Sequence, residues 1–139
     1  MATRRGQETK NYFKISMNGA EISGFTKVKG LSTTTDVVEK PNNKQHLIEK
    51  EPGHSSCGNI TLFKKRTREQ PFWNWFKEVQ TGNFEKKTIT IELVYRNKPL
   101  RGWKLINCWP CRWAISDITD EVLNTIEEIE LAVERIELL

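Results

Sequence analysis

Phe13, Ile15 and Met17 alternate with Lys14 and Ser16, the period of two that marks a strand with one buried face. Asn18-Gly19 follows, a pair suited to a tight turn, and predicts a hairpin into residues 22–28. Gly30-Leu31 breaks the pattern. Residues 32–39, with Thr33, Thr34, Thr35, Val37 and Val38, predict another strand because branched side chains fit a pleated surface. Residues 40–56 differ: Pro41, Asn42, Asn43, Lys44 and Gln45 are turn chemistry, and Glu51-Pro52-Gly53 is more of it. They read as one long loop, a feature that in a small domain is usually functional or mobile. Ile60, Leu62 and Phe63 restart strand character before Lys64-Lys65-Arg66.

One segment has helical spacing. Pro71 suits a first turn, Phe72, Trp75, Phe76 and Val79 share an apolar face, and Gly82 is a natural stop. A face of this kind belongs in a core rather than at a ligand. Residues 87–96 alternate again, with Ile89, Ile91, Leu93 and Tyr95 on one side, and Asn97-Lys98-Pro99 predicts a turn. Residues 103–115 form an aromatic-rich strand candidate with Pro110 at an edge or bulge. The last segment carries two signals. Val122, Ile126, Ile129, Val133 and Ile136 step by three and four, while Ile129, Leu131 and Val133 alternate with acidic residues and Ala132. Periodicity by itself leans to helix there.

Composition changes the picture in four ways. At 139 residues, 37 % hydrophobic and 29 % charged, the chain fits one domain, 1–139, with a modest core and a loose lead-in over residues 1–9. No apolar run reaches the length of a membrane span, and Arg4-Arg5 has no apolar stretch behind it, so neither insertion nor a secretion signal is expected. Three cysteines, an odd number, point to a reducing cytoplasm rather than a disulfide framework. The net charge of +4 is uneven: residues 120–139 hold seven acidic residues against Arg135 alone, a balance of −6, so the rest carries +10. Such a split suits an acidic polymer, or other copies of the same chain, or a plainly solvated face.

The candidate chemistry sits at Cys108-Trp109-Pro110-Cys111. A redox pair of this type needs its first cysteine at a helix N-terminus, where the dipole lowers the thiol pKa, and Arg112-Trp113-Ala114-Ile115 carries no helix signal. Zinc is the more serious rival, because His54, Cys57, Cys108 and Cys111 make two pairs with ligand spacing. Cysteines three apart in an extended strand point to opposite faces, however, unless a bulge at Pro110 reunites them. Beside both stands the plainer reading, soft side chains filling gaps among tryptophans. His46 and His54 are the only histidines, and the sequence shows no nucleophile elbow or phosphate-cradling glycine loop. No catalysis and no cofactor is therefore expected. Lys64-Lys65-Arg66 with Arg68 leaves a small basic nucleic-acid-binding β-barrel as the alternative from another class.

Five stretches in order resemble one family. Val28-Lys29-Gly30-Leu31 is similar to an early V-x-G-L turn, and Pro52-Gly53 with Ile60-Thr61-Leu62 to a PG…ITL stretch. Phe72-Trp73-Asn74-Trp75 is similar to an LWDW helix, and Gly102-Trp103 through Trp113 to RW-x-x-x-NAWPVKW. Residues 126–134 resemble a closing IE-x-x-EL-A-x-E strand. The family is that of tail tube proteins of contractile phage tails and related injection systems.

The resemblance implies a mainly β chain, an antiparallel sandwich or barrel with one flanking helix, whose final segment is a strand despite its helical spacing. Six subunits then share one β-barrel ring, which leaves no strand edge unpaired around it, and rings stack into a hollow tube. It makes Cys108 and Cys111 local substitutions on a strand. Loop 40–56 becomes the expected inter-ring contact, through Pro41, Asn42, Asn43, Lys44, Gln45 and Glu51. Glu128, Glu130 and Glu134 become a charged strand facing the lumen or a neighbour. The implied partners are further copies of the chain, a sheath, a baseplate, tape-measure or cap proteins, and a protein cargo or DNA in the lumen. Assembly is expected in the cytoplasm, as part of a virion tail or injection particle.

Overall fold

The computed structural model describes residues 11–67, 69–120 and 125–139. The lead-in 1–9, Arg68 and Val122 lie outside them. Among the described residues ten strands and one helix follow one another: β1 (Tyr12–Met17), β2 (Ala20–Ile22), β3 (Phe25–Lys29), β4 (Thr33–Asn42), β5 (Leu47–Cys57), β6 (Ile60–Lys65), α1 (Pro71–Thr81), β7 (Lys87–Tyr95), β8 (Lys98–Ile115), β9 (Ile126–Ala132) and β10 (Arg135–Leu138).

Strand β8 joins two antiparallel sheets. Its 18 residues pair with β7 over Lys98 to Cys108 and with β9 over Trp109 to Ile115. The first sheet therefore runs β2-β1-β7-β8, with β10 beside β8 at Trp103 to Ile106, and the second runs β8-β9-β6-β3. Asn107 takes φ 57, and register shifts occur between Lys87 and Ile89 and between Pro110 and Arg112. Bulges of this kind bend a strand and re-aim its side chains. Here they let one strand cross from sheet to sheet while Leu105 and Cys108, three apart, both face inward, each 0 % exposed.

Between the sheets lies the core. Ile15, Ile89, Ile91 and Leu105 come from the first sheet, and Ile60, Leu62, Ile129 and Leu131 from the second. Helix α1 closes it, with Phe72 edge-on to Phe25 at 5.8 Å and Trp75 donating its indole N–H to Glu85 O at 2.9 Å. Of the predicted helical face, Phe72 and Trp75 are buried, and Phe76 and Val79 half-buried. Pro71 starts the helix and Gly82 ends it at φ 82, its N–H bonded to Val79 O.

Four expectations change. The loop over 40–56 is a ribbon instead: β4 pairs β5 from Thr33↔Cys57 to Asn42↔Leu47. Pro41 and Pro52, which signal a turn by themselves, are tolerated here because each strand of the ribbon has an open edge and needs no ladder N–H on that side. The strand predicted over 22–28 is broken at Gly24, φ 99, so that Ile22 belongs to one sheet and Phe25 to the other. A register shift between Leu93 and Val94 turns Val94 inward and leaves Tyr95 44 % exposed. The chain turn lies at Arg96-Asn97, φ 51 and 64, ahead of the predicted Asn97-Lys98-Pro99.

The final segment is strand, as the family resemblance implies and against its helical spacing. Alternation decides it: Glu127, Ile129, Leu131 and Val133 are buried, and β9 is paired on both sides, by β6 and β8.

Candidate functional site

Two features of the chain have no partner within its described residues. One is the ribbon. Strands β4 and β5 are exposed along nearly their whole length, and they join the sandwich at their base. There Gly58 N–H bonds Ser32 O at 3.2 Å, and the Cys57 thiol faces Glu134 O at 3.7 Å. Gly30 lets the chain enter the ribbon: its φ is +95, and a Cβ there would lie 2.6 Å from Asn59 O. At the tip, Asn42 accepts from Lys44 N–H through Oδ1 and from Gln45 N–H through its carbonyl, closing the turn. Pro41, Asn42, Asn43, Lys44 and Gln45 thus sit together at the tip, while Glu51 lies along the shaft in an ion pair with Lys40 at 2.9 Å.

The other feature is the sheet margins. Among the described residues β2, β3 and β10 each pair on one side only, and so does β8 along Trp109 to Ile115. Unpaired N–H and C=O rows of this sort are templates for strands of another chain. Beside them, the outer faces are polar. Ser16, Thr90, Lys104 and Glu137 form a row across the first sheet, and Lys14 neighbours Glu92. On the second sheet Thr61, Glu130 and Arg112 align, next to Phe63, Glu128 and Ala114.

Residues 9–137 match the family model described as T4-like virus tail tube protein gp19. The chain belongs to that tail tube family. No curated protein matches it. Among solved structures, the chain is similar to one of an extracellular contractile injection system, the PVC sheath-tube complex in the extended state. That likeness has a TM-score of 0.78 at 27 % identity, over 91 % of this chain and 87 % of the other. A chain of the PVC sheath/tube terminator matches with the same score and identity, over 91 % and 92 %. The anti-feeding prophage cap, described as the AFP tube terminating cap, has the same fold, with a TM-score of 0.78 at 23 % identity over 91 % and 87 %.

In this tail tube protein the three charged-strand residues divide. Glu128 and Glu130 lie half-buried on the outer face of β9, near Arg112 (3.8 Å) and bonded to Asn59 Nδ2 (2.8 Å) respectively. Glu134 stands in the turn between β9 and β10, bonded to Lys86, which holds its carboxyl below the ordinary range. Glu127 is the one that sequence reading passed over. It faces the core, 6 % exposed, and accepts from Trp113 Nε1 at 2.6 Å. Its cross-strand partner Lys64 is 1 % exposed and donates to Thr67 Oγ1 at 2.9 Å. Burial pushes the Lys64 amine down, against the pull of Glu127 and Glu69. The phase of Ile60, Leu62 and Lys64 was the signal that could have found it.

The zinc set does not come together. Cys108 is buried in the core, the Cys111 thiol faces Glu130 O at 3.5 Å, Cys57 turns to Glu134, and His54 is exposed on the ribbon. Among the described residues no three His, Cys, Asp or Glu side chains are grouped to hold a metal. Burial raises the Cys108 thiol to about 12, so it is inert at neutral pH. No helix of the described residues is long and apolar enough to cross a membrane.

Proposed function

We propose that the chain is the repeating subunit of the rigid inner tube of a contractile injection particle or phage tail. Six copies close a ring through the open margins of their sheets, and rings stack into a hollow conduit. A surrounding sheath contracts and drives that conduit through a target envelope, with a protein cargo or DNA inside. The partners are then other copies of the chain, the sheath, the baseplate and the cap or tape-measure proteins. No chemistry is assigned to the chain, and its role is mechanical.

One observation carries this reading: a small sandwich that leaves several strand edges and a whole ribbon unpaired. An edge-exposing monomer of this kind invites uncontrolled pairing, and closure of a ring removes the edges. The family match and the likeness, at 27 % identity, to a chain of a sheath-tube complex support it. The hydroxyl and mixed-charge face at Ser16, Thr90, Lys104 and Glu137 suits a lumen, because it offers passing cargo no apolar or single-signed surface.

Concentrated protein imaged in negative stain should show rings and tubes. Deletion of residues 42–45 at the ribbon tip should leave folded chains that reach rings and stop short of tubes. Wild-type tubes from the deletion refute the inter-ring role of the ribbon. Compact monomers at high concentration refute the assembly reading as a whole.

A further inference from the structure

A two-stranded ribbon with both faces in water is marginal on its own. Something must therefore cover β4 and β5 in the assembled state. The two faces of the ribbon differ. Register sets Val37 opposite Pro52, Glu39 opposite Lys50 and Pro41 opposite Ile48, which places four apolar side chains around one charge pair on a single face. Val37 is 63 % and Ile48 62 % exposed. The opposite face also carries Val38 and Leu47, 42 % and 56 % exposed, but its polar groups are answered within the ribbon, Lys40 by Glu51 and Glu49 by Asn42 Nδ2, which donates to it at 2.6 Å.

A complementary patch lies at the far end of the first sheet. Leu100 and Leu139 are 57 % and 65 % exposed there, around a shallow cavity of about 260 Å³ that Glu92, Pro99 and Arg101 also line. Gly102 makes its floor. A Cβ at that position would approach Leu139 Cδ1 to 2.7 Å, so the missing side chain is what lets Leu139 lie down beside Leu100.

Strand β10 shows how the two are placed. Its first residue, Arg135, pairs with Ile106, next to Glu134 and the ribbon base at Cys57. Its last, Leu138, pairs with Trp103, and Leu139 N–H bonds Gly102 O at the patch. Ribbon and patch thus leave opposite ends of the same strand, and both stay exposed within one chain. Two copies arranged head to tail can satisfy both. Such a contact does not close on itself and repeats into a filament.

We infer that the Val37/Ile48 face of one copy's ribbon docks on the Leu100/Leu139 patch of a copy in the next ring, with Glu39 and Lys50 against Arg101 and Glu92. This rests on the stacked-ring reading above and names the surface that receives the ribbon. Buried apolar contact supplies the affinity, and the charge pairs fix the register.

Full-length Ile48→Asp and Leu100→Asp proteins test it, with folding checked by circular dichroism and assembly by negative stain and sedimentation. Each variant alone should stop at single rings, with tube mass reduced at least tenfold. Mixed together they should form pairs of rings and nothing longer, because only the intact ribbon of Leu100→Asp fits the intact patch of Ile48→Asp. Should Leu100→Asp fail to fold, Glu39→Arg and Arg101→Glu replace it: each singly shortens tubes, and the double variant restores them. Wild-type tubes from either aspartate variant, or a mixture without ring pairs, overturn the contact. Arrest of Ile48→Asp with normal growth of Leu100→Asp puts the ribbon on a different surface, which overturns it as well. Absence of rings and tubes from the wild-type protein would instead sink the stacked-ring reading itself.

Discussion

Cys108 looks like reactive chemistry in the sequence and is a core residue in the fold. Its thiol is enclosed by both sheets, and burial holds its proton to about 12 against an ordinary 9.0. Below 9.0 the folded and unfolded chains are both protonated there. Between 9.0 and 12 the unfolded chain loses a proton that the folded chain keeps, so this residue's share of the stability falls as pH rises through that window. Melting curves from pH 8 to 11 should therefore drop more steeply for the wild type than for Cys108→Ala, whose baseline will be lower by about 1 kcal/mol for the lost packing. Equal slopes would count against it. Iodoacetamide at neutral pH should spare Cys108 in the folded protein and label it after unfolding.

At the scale of elements, α1 depends on what its side chains meet. Its N-cap, Gln70, makes no side-chain cap bond, and no acidic residue stands in its first turn. Packing must supply what capping does not. Trp75 anchors it: the ring is 1 % exposed, and its N–H satisfies Glu85 O in the loop that leads to β7. Trp75→Ala should cost about 4 kcal/mol, as expected for a buried aromatic, whereas Trp75→Phe should cost about 2, the packing loss plus an unpaired carbonyl. Denaturant titration of the two variants separates these, and equal midpoints would deny the hydrogen bond its part.

For the whole molecule, the charge split bears on assembly. Much of the acidic end is already answered within the chain, Glu134 by Lys86, Glu128 by Arg112, and Glu137 by Arg135 at 2.9 Å. What remains for neighbours is the basic excess of the other 119 residues against the half-buried outer face of β9. Exposed charge contacts are screened over about 3 Å at 1 M salt against about 10 Å at 0.1 M. Tube yield by sedimentation should fall across that range if Glu128 and Glu130 face a neighbour. Yield indifferent to salt would instead leave Glu128 and Glu130 out of any contact between copies.

Much of this was legible in order along the chain. Alternation locates β1 and β7, an apolar restart at Ile60 locates β6, helical spacing locates α1 within a residue or two, and Asn18-Gly19 is a turn with φ 50 and 87. These are signals that neighbouring residues fix by themselves, through side-chain period and backbone preference. Pattern gives a loop over residues 40–56 and two competing signals over 126–136, because the state of both is set by distant partners: β4 and β5 hold each other across a turn, and β9 is clamped between β6 and β8. Local propensity yields to pairing in such places. Likewise, only the tertiary structure set Lys64 opposite Glu127 on the buried face of paired strands, carried β8 across two sheets, and set ribbon and patch at opposite ends of β10. A one-dimensional pattern fixes which face a residue takes, while which chain segment lies against that face depends on contacts far apart in sequence.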